Sequence, residues 1–258
     1  MTTPHDWTQV ARRIVAGLDV QPGELIQVRD HVDRPDVLRE VLLAVDLAGA
    51  TPVVDHQSPA YLDRWLAEAT PAAIEQSGRQ RLHFLEQVDR VISISGGMPD
   101  FALAAPATLA AWQQMDAALT QIEEARQLPI LVVAVPNERR AARLGMTLAE
   151  LEAHVVPALV FEIAACRRLI EQTLAAVTGA QIAIGTGDGH ALFLEHGDRY
   201  WHGDDGVIDA LDREHKSIVS NLPAGSIYTT VIEDRTHGSL YLPKAREATE
   251  VVLHFAAG

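Results

Sequence analysis

The chain has 258 residues and carries 35 acidic against 21 basic side chains, a formal charge of −14. That balance disfavours a nucleic-acid binder, which needs clustered Lys and Arg, and a peripheral binder of anionic membranes, so neither partner is expected. With 48% apolar and 22% charged residues the composition is that of a globular chain, and the lone Cys166 excludes an internal disulfide and argues against a cysteine-built zinc or iron–sulfur site.

Asp6 is placed to cap a helix through Trp7, Val10, Ile14 and Leu18, whose spacing of three and four is helical, and Pro22-Gly23 ends it. Residues 24–28 read as a short strand. Asp33 is expected to cap the next helix, with Pro35 in its first turn and Val37, Val41, Leu42 and Val45 on one face. Gly49 closes that helix and residues 51–54 form a second strand, the strand–helix–strand pattern of a βαβ unit. Helical material follows over residues 61–86, interrupted at Thr70-Pro71. Residues 90–95 read as a buried strand ended by Gly96-Gly97, and residues 106–126 as a helix. Residues 129–135, Pro-Ile-Leu-Val-Val-Ala-Val, are apolar on both faces, as a central parallel strand must be.

Thr147-Leu148-Ala149-Glu150 is a capping box that opens a long helix to about residue 176, with Pro157 as a point for a kink. Beyond Gly179 the texture changes to short strand-like runs at residues 181–184, 191–195, 227–232, 239–242 and 250–255. The expected fold is α/β: a Rossmann-like parallel sheet domain over residues 1–178, followed by a smaller β-rich domain over residues 179–258. The polar residues 1–6, and Arg12 and Arg13 soon after, give no targeting signal. No apolar run approaches the roughly 20 residues of a membrane span, and the cytoplasm is the expected compartment.

Several segments could carry chemistry, and each also has a plain structural reading. Gly185-Thr186-Gly187-Asp188-Gly189 follows a strand, but a phosphate cradle needs a helix after it, and a hairpin turn accounts for it as well. Six of the eleven histidines fall in the last third, and the stretch from His196 to Asp205 mixes imidazoles and carboxylates, the ligand types of Zn, Mn or Fe. His202 and Asp204 are the metal-ligand candidates there; a polar loop is the alternative. Ser93-Ile94-Ser95-Gly96-Gly97 ends a strand without the G-x-S-x-G of a nucleophile elbow. Cys166, beside Arg167 and Arg168, could be a reactive thiol or a small buried hydrophobe.

The segment Asn221-Leu222-Pro223-Ala224-Gly225-Ser226-Ile227-Tyr228-Thr229-Thr230 reads locally as a turn into a strand. It also resembles the signature of the aminopeptidase T-like family of metallopeptidases. Val20-Gln21-Pro22-Gly23-Glu24-Leu25-Ile26-Gln27-Val28-Arg29 resembles the family's opening strand, Leu47-Ala48-Gly49-Ala50-Thr51-Pro52-Val53-Val54 its second helix and strand, and Leu144-Gly145-Met146-Thr147-Leu148-Ala149-Glu150-Leu151-Glu152 the start of its long helix. The resemblance implies an N-terminal α/β domain, a C-terminal metal domain, a homodimer, and a divalent metal (Zn, Co or Mn) with which N-terminal residues are removed from peptides. Some relatives use one Fe to open a dihydroxypyridine ring.

The family's first metal-ligand Glu stands where this chain has Ser226, a degenerate ligand position, because a neutral hydroxyl cannot replace a carboxylate that balances two dications. The family's remaining ligands would fall after residues 251–255, where the sequence reaches Gly258. Asn221 and Pro223 are expected to hold the turn, and Tyr228 to pack in the strand. The expected function is that of a metal-dependent aminopeptidase-family protein, with a single-iron ring-cleaving enzyme on a small-molecule substrate, or a non-catalytic subunit binding a partner through open β-edges, as alternatives.

Overall fold

The computed structural model describes residues 6–177, 179, 181–187, 189–245 and 248–257. Asp6 caps α1 (Trp7–Gly17), its Oδ1 accepting the Thr8 N–H at 2.9 Å. Then come β1 (Leu25–Asp30) and α2 (Pro35–Leu47). Asp33 is not the cap of α2: it takes φ 57° in a left-handed turn. Arg34 holds the cap position without a side-chain capping bond, and Pro35 presets the first turn.

The expected helical stretch over residues 61–86 is two helices, α3 (Pro59–Glu68) and α4 (Pro71–Leu85), which follow β2 (Thr51–His56). Thr70 Oγ1 accepts the Ala73 N–H at 3.3 Å and starts α4. Thr70→Ala removes that acceptor and is expected to cost about 1 kcal/mol, read as a lower urea midpoint with an unchanged slope.

Next are β3 (Arg90–Ser95), α5 (Pro106–Arg126), β4 (Ile130–Ala134), α6 (Glu138–Arg143), α7 (Leu148–Leu159) and α8 (Ile163–Ala176). The capping box is present: Thr147 and Glu150 bond each other's backbone N–H groups at the start of α7. The single helix expected to residue 176 is instead broken over residues 160–162, just after Pro157, which offers no N–H to the last turn of α7. The remaining elements are β5 (Gln181–Gly187), β6 (His190–Glu195), β7 (His202–Asp204), α9 (Ala210–Glu214), β8 (Val219–Leu222), β9 (Ser226–Tyr228), β10 (His237–Ala245) and β11 (Ala248–Ala256).

The chain divides into two compact units, Met1–Ile163 with Asp205–Ala224, and Ala164–Asp204 with Gly225–Gly258. The cut expected near residue 178 falls within the second of these, and the chain changes unit at 163–164, 204–205 and 224–225. The first unit holds a five-stranded parallel sheet in the order β2-β1-β3-β4-β8. Its faces follow the two-residue alternation of strands. Ile26, Val28, Ile92, Ile94, Leu131 and Val133 join α1, α2 and α7 in one core. Val91 and Ile130 meet Leu85 and Val88 in a second core, beside Leu119 and Ile122 of α5. The second unit carries a separate antiparallel sheet, β11-β10-β6-β5, and the two-stranded ribbon β7–β9. The architecture is therefore α/β, with a parallel sheet covered on both faces and a distinct antiparallel sheet. No helix among the described residues is long and apolar enough to cross a membrane.

Candidate functional site

Ser226, His202 and Asp204 lie together on the ribbon. In the antiparallel β7–β9 pair, Asp204 is opposite Ser226, Gly203 opposite Ile227 and His202 opposite Tyr228. Opposed residues and alternate residues along a strand share a face, so His202, Asp204, Ser226 and Tyr228 form one face of the ribbon. The His202 ring stacks on Tyr228, with centroids 4.9 Å apart and planes 10° from parallel, and Tyr200 meets His202 edge-on at 4.9 Å. Tyr228 is thus not packed away, as expected from its strand position, but 42% exposed on this face.

The opposite face of the ribbon lies on α8. A Cβ on Gly203 would stand 2.4 Å from Ile170 Cγ2, so residue 203 must be glycine for the strand to approach that closely. At the turn, Gly225 takes φ 115° and donates its N–H to the Asp204 carbonyl at 2.8 Å. This explains glycine at the end of Pro-Ala-Gly: it lets the chain reverse onto β7. Cys166 is buried behind that turn, 3.8 Å from where a Gly225 Cβ would stand.

The donor set of this face does not fit a bridged pair of dications. Asp204, 6% exposed, supplies a carboxylate, His202 an imidazole and Ser226 a neutral hydroxyl. Among the described residues no group of three or more His, Cys, Asp and Glu is gathered closely enough to hold a metal ion. Two dications need several anionic ligands to balance them.

The histidines that cluster in sequence are spread out in space. His196 bonds the Gly179 carbonyl through Nε2 at 2.8 Å and sits edge-on to Trp201. His190 Nδ1 is 2.8 Å from Ser239 Oγ, and His237 stacks on Phe193. Arg199 is tied to the Val231 carbonyl and to Glu233. The first three residues of the glycine cluster end β5, which pairs with β6 as an antiparallel hairpin; its Asp188 lies outside the described residues.

Sequence reading missed a polar cluster inside the first unit. Gln27, Arg29 and His31 alternate onto the side of β1 that faces α4 and α5. There Arg29 pairs with Glu123 of α5 at 2.5 Å and donates to Gln27 Oε1 at 3.1 Å. Asp55 of β2 pairs with Arg81 of α4 and accepts from Gln57 Nε2 at 2.7 Å. The signal was present in the polar residues of β1 at alternate positions, but the partners of Gln27 and Arg29 on other elements lie 28 and 94 residues away.

His31 adjoins this cluster with its Nε2 buried and without a hydrogen-bond partner among the described residues. Burial, and then the Arg29 cation, hold its pKa below the ordinary 6.5, against weaker opposing pulls from Asp55 and Asp30. The unfolded chain therefore takes up a proton that the folded chain refuses. The stability this neutral ring confers is complete above about pH 6.5 and declines as pH falls below it, by at most about 1.4 kcal/mol per pH unit, until the folded-state pKa is reached. Urea unfolding at a series of pH values from 7.5 to about 5 should show that slope, and His31→Gln should flatten it.

No protein-family model matches the sequence, and no curated protein does. Solved structures do match. Wild-type AmpT (aminopeptidase T) from Thermus thermophilus superposes with a TM-score of 0.67 at 16% identity, over 96% of this chain and 68% of AmpT. The 2,5-dihydroxypyridine dioxygenase from Pseudomonas putida KT2440 superposes with a TM-score of 0.54 at 17% identity, over 92% of this chain and 60% of the dioxygenase. At these identities the likeness is one of fold, and the fold of this chain is the one found in AmpT.

Proposed function

We propose that the protein is a relative of the metal-dependent aminopeptidases, on a scaffold for removing N-terminal residues from peptides, in which the metal centre has degenerated. One observation supports this reading: in a chain with the fold of AmpT, Ser226, which the sequence resemblance aligns with the family's ligand Glu, faces Asp204 across the ribbon. Exchanging a carboxylate for an alcohol removes the charge that a pair of dications requires, so metal-dependent hydrolysis is the property lost first. Recognition of a free peptide N-terminus is the property proposed to remain.

The test combines aminoacyl-p-nitroanilide assays in Co, Zn and Mn with peptide binding. No turnover above the metal-free blank is expected, together with binding of a leucyl peptide that N-acetylation abolishes. Turnover accompanied by two bound metal equivalents would restore an active peptidase and overturn the degenerate reading; absence of peptide binding would remove peptides as the ligand. The likeness to the dioxygenase supports a second reading, a mononuclear iron enzyme, since one ion demands fewer carboxylates. One equivalent of iron in the purified chain would favour it. A homodimer in the cytosol is proposed with either reading, and sedimentation equilibrium reports the assembly.

A further inference from the structure

Asp30 and His56 end two neighbouring parallel strands and face each other in register. Asp30 is 2% exposed. Its Oδ1 accepts the backbone N–H groups of Val32 at 3.2 Å and Asp33 at 3.3 Å, and its Oδ2 lies 2.8 Å from His56 Nδ1. A carboxylate only accepts hydrogen bonds, so the proton of the neutral ring is on Nδ1 and the lone pair is on Nε2. The His56 side chain is 48% exposed, and its Nε2 makes no hydrogen bond among the described residues. A buried carboxylate that fixes the tautomer of an imidazole with an open Nε2 is the arrangement of a positioned general base.

The position in the fold points the same way. From β1 the chain steps to β2 on one side, and later to β3 on the other. The connections therefore diverge at the carboxyl ends of β1 and β3, the place where open parallel sheets take ligands. The His31 N–H bonds the Ile94 carbonyl at 2.9 Å and holds those two strand ends together. Beyond them β3 runs into Gly97, which has φ 152° and nothing within 4 Å of where a Cβ would stand. We propose that His56, positioned by Asp30, is the proton-accepting group of a small-molecule site at this carboxyl edge, and that its ligand is a hydroxylated compound whose O–H donates to Nε2.

Diethyl pyrocarbonate, which acylates imidazole nitrogen and is mapped by peptide mass spectrometry, tests this with an internal control. The His83 side chain lies on the same unit, is 72% exposed and has its Nδ1 3.4 Å from the exposed Glu86 carboxylate, so a His56 whose buried Asp30 did nothing more would react more slowly than His83. Modification of His56 is expected to be about tenfold faster instead, and to fall to the His83 rate or below in Asp30→Asn. That variant keeps an oxygen for the two backbone N–H groups but turns an amide toward the ring. Phenol, as the probe ligand, should protect His56 saturably and leave His83 unaffected. A His56 rate no greater than that of His83, an unchanged rate in a folded Asp30→Asn, or no protection by phenol would each overturn the proposal. Should Asp30→Asn unfold, the rate ratio and the phenol protection in the unsubstituted chain decide it.

Discussion

Gly96→Ala is expected to destabilise the protein by about 3 kcal/mol, the sum of an overpacked methyl group and a disturbed buried amide. An added Cβ would stand 2.3 Å from both Asn137 Nδ2 and Val32 Cγ1, so one of them must move. Asn137 has no freedom to do so: its Nδ2 donates to the Gly96 carbonyl at 3.1 Å, and its Oδ1 accepts the Arg140 N–H at 2.8 Å to cap α6. Residue 96 therefore couples the exit of β3 to the start of α6. For a chain of this size the loss corresponds to a fall in Tm of roughly 6–12 °C.

The double variant Gly96→Ala/Asn137→Ala should lose less than the sum of the two single variants, because removing the amide opens the space the methyl group needs. Strict additivity in chemical denaturation would show that the two residues are not coupled in this way.

Much of the parallel sheet was legible because its signals are local. Residues 129–135 are apolar at every position, and only a strand covered on both faces tolerates that; the outcome is β4 inside the sheet, between β3 and β8. Caps made by the residues beside them, Asp6 and Thr147, could be read directly. Asp33 could not, because in the folded chain the neighbouring Arg34 pairs with Asp36, Pro136 and Glu152, and residue 33 is turned into the left-handed region to allow it.

The strand β8 was missed for a different reason. Val219, Ser220, Asn221 and Leu222 are too few to show a period, and their partner is β4, about ninety residues earlier. That pairing returns residues 205–224 to the first unit, so that a single cut at one position does not describe the packing.

The ribbon was half legible. The turn glycine and the strand after it marked Ser226, but the stretch containing His202 and Asp204 looked like any polar loop until its register with β9 placed Asp204 opposite Ser226. The Asp30–His56 pair had no sequence signal at all, since 26 residues separate two side chains that meet only through strand register. Cross-strand chemistry is written in pairing, and pairing is what a single sequence encodes least directly.

Ser226→Glu should convert the ribbon into a divalent-cation site, with affinity for Mn or Zn rising by about tenfold or more over the natural chain, because cation affinity follows the number of charged oxygen ligands. Residue 226 is exposed, so the longer side chain has room. The new carboxylate lies across from Asp204, and like charges directly opposed on a ribbon destabilise it. The variant should therefore unfold at a lower temperature than the natural chain in chelator and recover when Mn or Zn is added, since a cation that binds the folded state shifts Tm with its concentration. Ser226→Gln has the same length without the charge and should show neither effect. Calorimetric titration and thermal melts across the three proteins separate charge from size. Equal cation affinity in all three, with no metal-dependent rise in the Tm of Ser226→Glu, would mean that this face of the ribbon is not the remnant of a metal centre.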